Sequence, residues 1–161
     1  MPLSKLRSYL DSHNVKYLVI SHSLAYTAQG VAALAHVSGK KLAKTVIIKV
    51  DGALAMAVIP ASLHVDLNRI RALAGAKIVE LATEREFKDA FSDCETGAMP
   101  PFGNLYGMAV YTDSELASNE EVTFTAGSHR ELVRMNWGDL VRLVNPIVHQ
   151  LTYPQLSRAA A

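Results

Sequence analysis

The stretch from Ala43 to Pro60 constrains this chain most. It reads Ala-Lys-Thr-Val-Ile-Ile-Lys-Val, then Asp51-Gly52, then Ala-Leu-Ala-Met-Ala-Val-Ile-Pro. The first run is β-branched and has the look of a central strand. Asp-Gly is the strongest short signal for a two-residue hairpin turn, so the second run should pair back antiparallel. Lys44 stands at the mouth of this hairpin. Beside valines and isoleucines, a lysine commonly lies along the apolar surface and puts its ammonium in water. Its position alone therefore does not make it functional.

A chain of 161 residues suits one domain with a real core, here taken as 1–161 with a C-terminal tail from 147. Half the residues are apolar and 19% are charged, which excludes a disordered chain. No apolar run is long enough to span a bilayer, and Met1-Pro2-Leu3-Ser4-Lys5 lacks the form of a signal peptide. Cys94 is the single cysteine, which rules out an internal disulfide and a thiolate metal cluster, so a cytoplasmic address is expected. A net charge of +1 argues against broad electrostatic coating of nucleic acid, and neither DNA nor a membrane is expected as a partner. Arg130, Arg134, Arg142 and Arg158 thicken the positive charge late in the chain, either as a solvated face or as a local phosphate-facing patch.

Leu3, Leu6 and Leu10 are spaced for a first amphipathic helix, and residues 15–22 read as a strand. Thr27 can cap a helix through His36, and Asp66 one that buries Leu67, Ile70 and Leu73 and stops at Gly75. Residues 76–80 read as a short strand. Thr83-Glu84-Arg85-Glu86 is a capping box opening a helix that buries Phe87, Ala90 and Phe91. Residues 107–112, 121–126 and 131–135 read as strands, and Asn136 can cap a last helix through Val144. The tail after Asn145-Pro146 carries no clear signal. The expected fold class is α+β: one domain with a curved, mixed, largely antiparallel sheet of about seven strands flanked by helices.

There is no phosphate-cradling P-loop, dinucleotide fingerprint or serine elbow. The six histidines show no ligand spacing on one helix face, so no metal and no cofactor are expected. Gly97-Ala98-Met99-Pro100-Pro101-Phe102-Gly103 is more telling. Paired prolines stiffen it and glycines permit positive φ and close approach, so it suits the presentation of backbone N–H groups to a carbonyl or oxyanion. A plain rigid turn explains it equally well locally. Thr125-Ala126-Gly127-Ser128-His129 is a second small-residue loop that either holds a polar group or turns the chain.

Three pieces recur together in this order: Lys44-Thr45 opening an apolar strand, Gly97-x-x-x-Pro101 followed by Phe102-Gly103, and Phe124-x-x-Gly127 leading into a polar strand. The set resembles the YbaK/prolyl-tRNA-synthetase-associated editing domains. The likeness runs from about Tyr17 to Asn145 and includes Ala55-x-Ala57-Val58-x-Pro60 and Asp66-Leu67. No single motif is very specific; the ordered set is.

The resemblance implies a free-standing deacylase that hydrolyses the ester of mischarged aminoacyl-tRNA. The amino acid would be small (alanine, cysteine, serine or threonine), and tRNA(Pro) the carrier. The partner is then the aminoacylated tRNA acceptor end, with a synthetase or an elongation factor as a further candidate. By similarity Lys44 is the functional lysine and Gly97 offers its backbone to the aminoacyl carbonyl. Thr45, Ala98, Met99, Pro100, Pro101 and Gly103 would shape the pocket. His22 and Tyr26 fall where relatives line the pocket, while Gly127, Ser128 and His129 form a turn whose role varies among them. Two other readings stay open: a non-catalytic binding module on the same fold, and Lys44 as a Schiff-base nucleophile.

Overall fold

In the computed structural model, which describes residues 4–21 and 41–153, the hairpin forms as the sequence predicts. Strand β2 (Leu42–Val50) pairs antiparallel with β3 (Ala53–Pro60). Asp51 and Gly52 both take positive φ, 49° and 86°, as a type I′ turn requires. The Asp51 carboxylate also accepts from Lys77 N and Ile78 N. The hairpin turn is thereby tied to the segment after the next helix.

Both faces of the hairpin are apolar because both are covered. Ala43, Ile47, Met56 and Val58 face one core together with Leu6, Leu10, Phe102, Phe124 and Leu140. Ile48, Ala55, Ala57 and Ile59 face the other, with Ile70, Tyr111 and Leu151. Each such Leu, Ile or Phe contributes about 1.5–3 kcal/mol relative to exposure.

The remaining elements are α1 (Ser4–Ser12), β1 (Tyr17–Ser21), α2 (Leu67–Ala74), β4 (Val79–Leu81), α3 (Glu84–Phe87), β5 (Ala109–Asp113), α4 (Ser114–Ala117), β6 (Glu121–Thr125), β7 (Glu131–Asn136), α5 (Trp137–Val144) and β8 (Ile147–His149). The sheet has eight strands in the order β1-β7-β6-β2-β3-β5-β8, with β4 added to β2. The β2–β6, β3–β5 and β5–β8 pairs are parallel and the rest antiparallel, so the sheet is mixed, as expected.

Several boundaries differ from expectation for identifiable reasons. Asn14, at φ 57°, and the Val15 N–H bond to Leu10 O close α1, so β1 begins only at Tyr17. Ala76 is bonded to Arg71 and residues 77–78 to Asp51, which delays β4 to Val79. The Thr83 capping box forms, but its helix lasts one turn before becoming a 3₁₀ turn over Lys88–Phe91. Phe91 is buried there while Ala90 is exposed. The tail is the largest correction. Ile147–His149 adds an edge strand, and Leu151 and Thr152 are buried against the carboxylate of Asp113. The helix expected over 27–36 lies outside the described residues.

Candidate active site

Strand β2 has two different neighbours along one edge. At its start, Leu42 and Ala43 pair with Thr123 and Phe124 of β6. At its end, residues 48–50 pair with β4. Between them, β6 has stopped at Thr125 and β4 has not begun. Lys44 is the next β2 residue in register after the β6 pairing, so it emerges where the sheet divides. It pairs across with Ile59, while Thr45 pairs with Val58 and faces the other core. The Lys44 side chain is half-buried, and desolvation lowers its pKa. Among the described residues no carboxylate pairs with it.

The turn that follows β6 is laced to the glycine-proline loop. Gly127, at φ 95°, donates N–H to Ala98 O at 2.7 Å and accepts from Glu95 N at 2.8 Å. Ala98 N donates to Glu95 O at 3.0 Å, closing a four-residue turn whose third residue is Gly97 at φ 85°. That closure and that φ are those of a type II turn, which requires glycine at this position. His129 is only 6% exposed, and its Nε2 lies 2.7 Å from Thr96 O. A carbonyl can only accept, so Nε2 carries the hydrogen and is not the lone pair of a base. The His129 backbone N–H donates to Glu95 Oε2 at 3.0 Å, and Ser128 Oγ accepts from Arg130 N.

These contacts bring together Gly97, Ala98, Gly127, Ser128 and His129, while Lys44 and Thr45 directly follow the last β2–β6 pair, Ala43 with Phe124. The rest of the loop turns inward. Ala98, Met99, Pro100, Pro101 and Gly103 are buried, with Met99 in the core beside Phe102. Gly103 is a glycine for packing, since a Cβ there would stand 2.4 Å from Met108 O. His22 and Tyr26 lie outside the described residues. Glu95 and Thr96 join the site without having been picked from the sequence. The available signal was one acidic residue just before the glycine of an otherwise apolar loop.

Other reactive groups are set apart. Cys94 is bonded to Tyr106, which donates to Asp93, and burial pushes its thiol up to about 11. It is therefore a poor nucleophile. Arg134 and Arg142 sit near Glu121 and Asp139 at 3.9 and 3.4 Å, which makes them a paired surface rather than an open phosphate patch. A groove of about 800 Å³ lined by Lys16, Tyr17, Glu120, Glu121, Arg134 and Asp139 lies at the other end of β6 and β7, away from Lys44. Among the described residues no group of His, Cys, Asp and Glu side chains could hold a metal ion. No described helix is long and apolar enough to cross a membrane.

A half-buried lysine stands where a mixed sheet divides, and the turn that carries the Gly97 N–H is laced to the turn that follows the neighbouring strand β6. Solved structures share this fold. A hypothetical protein superposes with a TM-score of 0.84 at 22% identity, over 93% of this chain and 100% of that one. A candidate trans-editing enzyme for prolyl tRNA synthetase superposes with a TM-score of 0.81 at 20% identity, over 95% and 98%. The aminoacyl-tRNA editing domain model matches residues 22–143, and the chain belongs to that family. It is also 28% identical over 88 residues to the proline–tRNA ligases of Bacillus mycoides (strain KBAB4) and Bacillus cereus (strain AH187). That match takes in 55% of this chain and spans only 15% of the length of those ligases.

Proposed function

We propose that this chain is a trans-acting deacylase that hydrolyses the ester of mischarged tRNA carrying a small amino acid of the alanine, cysteine, serine or threonine class, with tRNA(Pro) as carrier. The observation that carries this reading is the half-buried Lys44 ammonium, without a carboxylate partner among the described residues, at the point where β6 has stopped and β4 has not begun. Family membership and the ligase relatives support it.

The need for such an activity is physical. A synthetase pocket separates side chains differing by one methylene by only about 1–3 kcal/mol, so a second site must remove the errors. In the reaction a water attacks the ester carbonyl, the carbonyl oxygen takes up negative charge, and the bond to the terminal ribose oxygen breaks with a proton returned to that oxygen. The Gly97 N–H would donate to the developing oxyanion. Lys44 would supply positive charge, either to that oxygen or to a phosphate of the tRNA 3′ end, and its partial desolvation strengthens its field. A free ribose hydroxyl of the terminal adenosine is assigned to the attacking water's proton. For a cysteinyl ester the substrate thiol would replace water as attacker: its sulfur would bond to the carbonyl carbon, the bond to the ribose oxygen would break with the thiol proton passing to that oxygen, and the cyclic thioester released would then be opened by water. Exposed Arg130, next to the turn, suits a backbone phosphate.

The test is deacylation of Ala-, Cys-, Ser- and Thr-tRNA(Pro), with correctly charged and non-cognate tRNAs as controls. Hydrolysis of one or two substrates, lost by about 10²–10³ in folded Lys44→Ala, is the expected outcome. Binding without turnover by the folded wild type would instead establish a non-catalytic module.

A further inference from the structure

We propose that Glu95 is a positioning residue of this site: it latches the turn at residues 95–98 to the Gly127–His129 turn and so keeps the Thr96–Gly97 peptide in the orientation that offers the Gly97 N–H to a bound carbonyl. The inference rests on the editing reading for its chemistry and on the geometry for the latch.

Glu95 commits its backbone N–H, its backbone carbonyl and one carboxylate oxygen here. Its N–H goes to Gly127 O at 2.8 Å, its carbonyl accepts Ala98 N–H at 3.0 Å, and Oε2 accepts His129 N–H at 3.0 Å. The side chain is nevertheless 47% exposed, so its stability benefit is modest and hydration competes for it. What the bond does is local. By gripping the His129 backbone it sets the ring so that Nε2–H reaches Thr96 O at 2.7 Å.

That last bond controls a two-state element. Types I and II of a four-residue turn differ by a half-rotation of the central peptide, here Thr96–Gly97. With Thr96 O held by His129, the peptide stays in the type II state shown by Gly97 at φ 85°. The peptide is trans, so its N–H points opposite to the held carbonyl. Among the described residues nothing accepts from the Gly97 N–H. A flip to type I would swing that donor away while leaving the Glu95–Ala98 closure intact.

The experiment compares Glu95→Ala and Glu95→Gln with wild type in the full chain. It reads kcat and KM of deacylation together with amide hydrogen exchange at His129 and Gly127. Glu95→Ala should lower kcat about 10- to 100-fold with KM within about threefold, the pattern of lost positioning rather than lost binding. Its His129 amide should exchange faster. Glu95→Gln keeps an oxygen for the His129 N–H and should recover most of kcat and of the protection. Unchanged kcat in folded Glu95→Ala, a change in KM alone, or equal loss in both variants would overturn the proposal, the last because charge and not geometry would then matter. If wild type hydrolyses no aminoacyl-tRNA, the editing reading fails, and exchange at His129 decides the latch separately: unaltered protection in Glu95→Ala overturns it.

Discussion

Replacing Gly97 by alanine separates the conformational demand of this site from its packing. A Cβ at position 97 would meet His129 Cε1 at 3.5 Å, an ordinary contact, so space is not the obstacle. The obstacle is φ at 85°. An L-residue held there costs about 1–2 kcal/mol. Against a domain stability of about 5–15 kcal/mol the protein stays folded, and at about 2–4 °C per kcal/mol Tm should fall by about 2–8 °C. The strain is relieved if the turn flips to type I, which breaks the His129–Thr96 bond and turns the 97 N–H away from the substrate. Loss of one such donor costs about 10²–10³ in kcat. The assay is single-turnover deacylation of the substrate identified in the tRNA panel, with a thermal melt on the same preparation. A variant whose Tm falls as expected but whose rate stays within about threefold of wild type would refute the role given to this N–H.

Two further outcomes follow from buried charge. Burial lowers the Lys44 pKa, so the folded state disfavours its ammonium, and that penalty is fully present below the folded pKa. As pH rises from the folded pKa toward that of an unfolded lysine, the Lys44 contribution to stability should improve while deacylation declines with the lost charge. Lys44→Met should abolish both trends, read by denaturant titration and rate against pH, with no loss of stability at neutral pH. Asp113, 2% exposed, accepts from Glu115 N, Leu151 N and Thr152 Oγ1 at 3.0, 2.7 and 3.2 Å. Asp113→Ala strands two buried donors and a helix cap, at about 3–6 kcal/mol in guanidinium unfolding, with Asp113→Asn milder; a loss under about 1 kcal/mol would contradict this accounting.

The hairpin, the Asp66 and Asn136 caps and the stop at Gly75 were legible because each is local chemistry. A turn dipeptide, an oxygen before a helix and a left-handed glycine need no knowledge of distant chain. The Thr83 box was legible for the same reason, but the length of its helix was not. Ala90 faces water and Phe91 the core, an outcome set by what packs there rather than by the periodicity of the segment. The family could be named because three small motifs keep their order along the chain.

Residue types alone thus revealed the mixed α+β class, the lysine at the strand mouth and the glycine-proline loop. They could not reveal that β6 stops beside Lys44 while β4 starts further on, because strand order is a property of long-range pairing. Nor could they show that Met99 and Gly103 serve the core, or that the tail returns to Asp113. Glu95 is the sharpest case. In the sequence it is one acid in a loop; in space its carboxylate meets an amide 34 residues away. A backbone N–H that donates a hydrogen bond leaves no mark on the identity of the residue that carries it, so this contact becomes visible only once the chain has closed on itself.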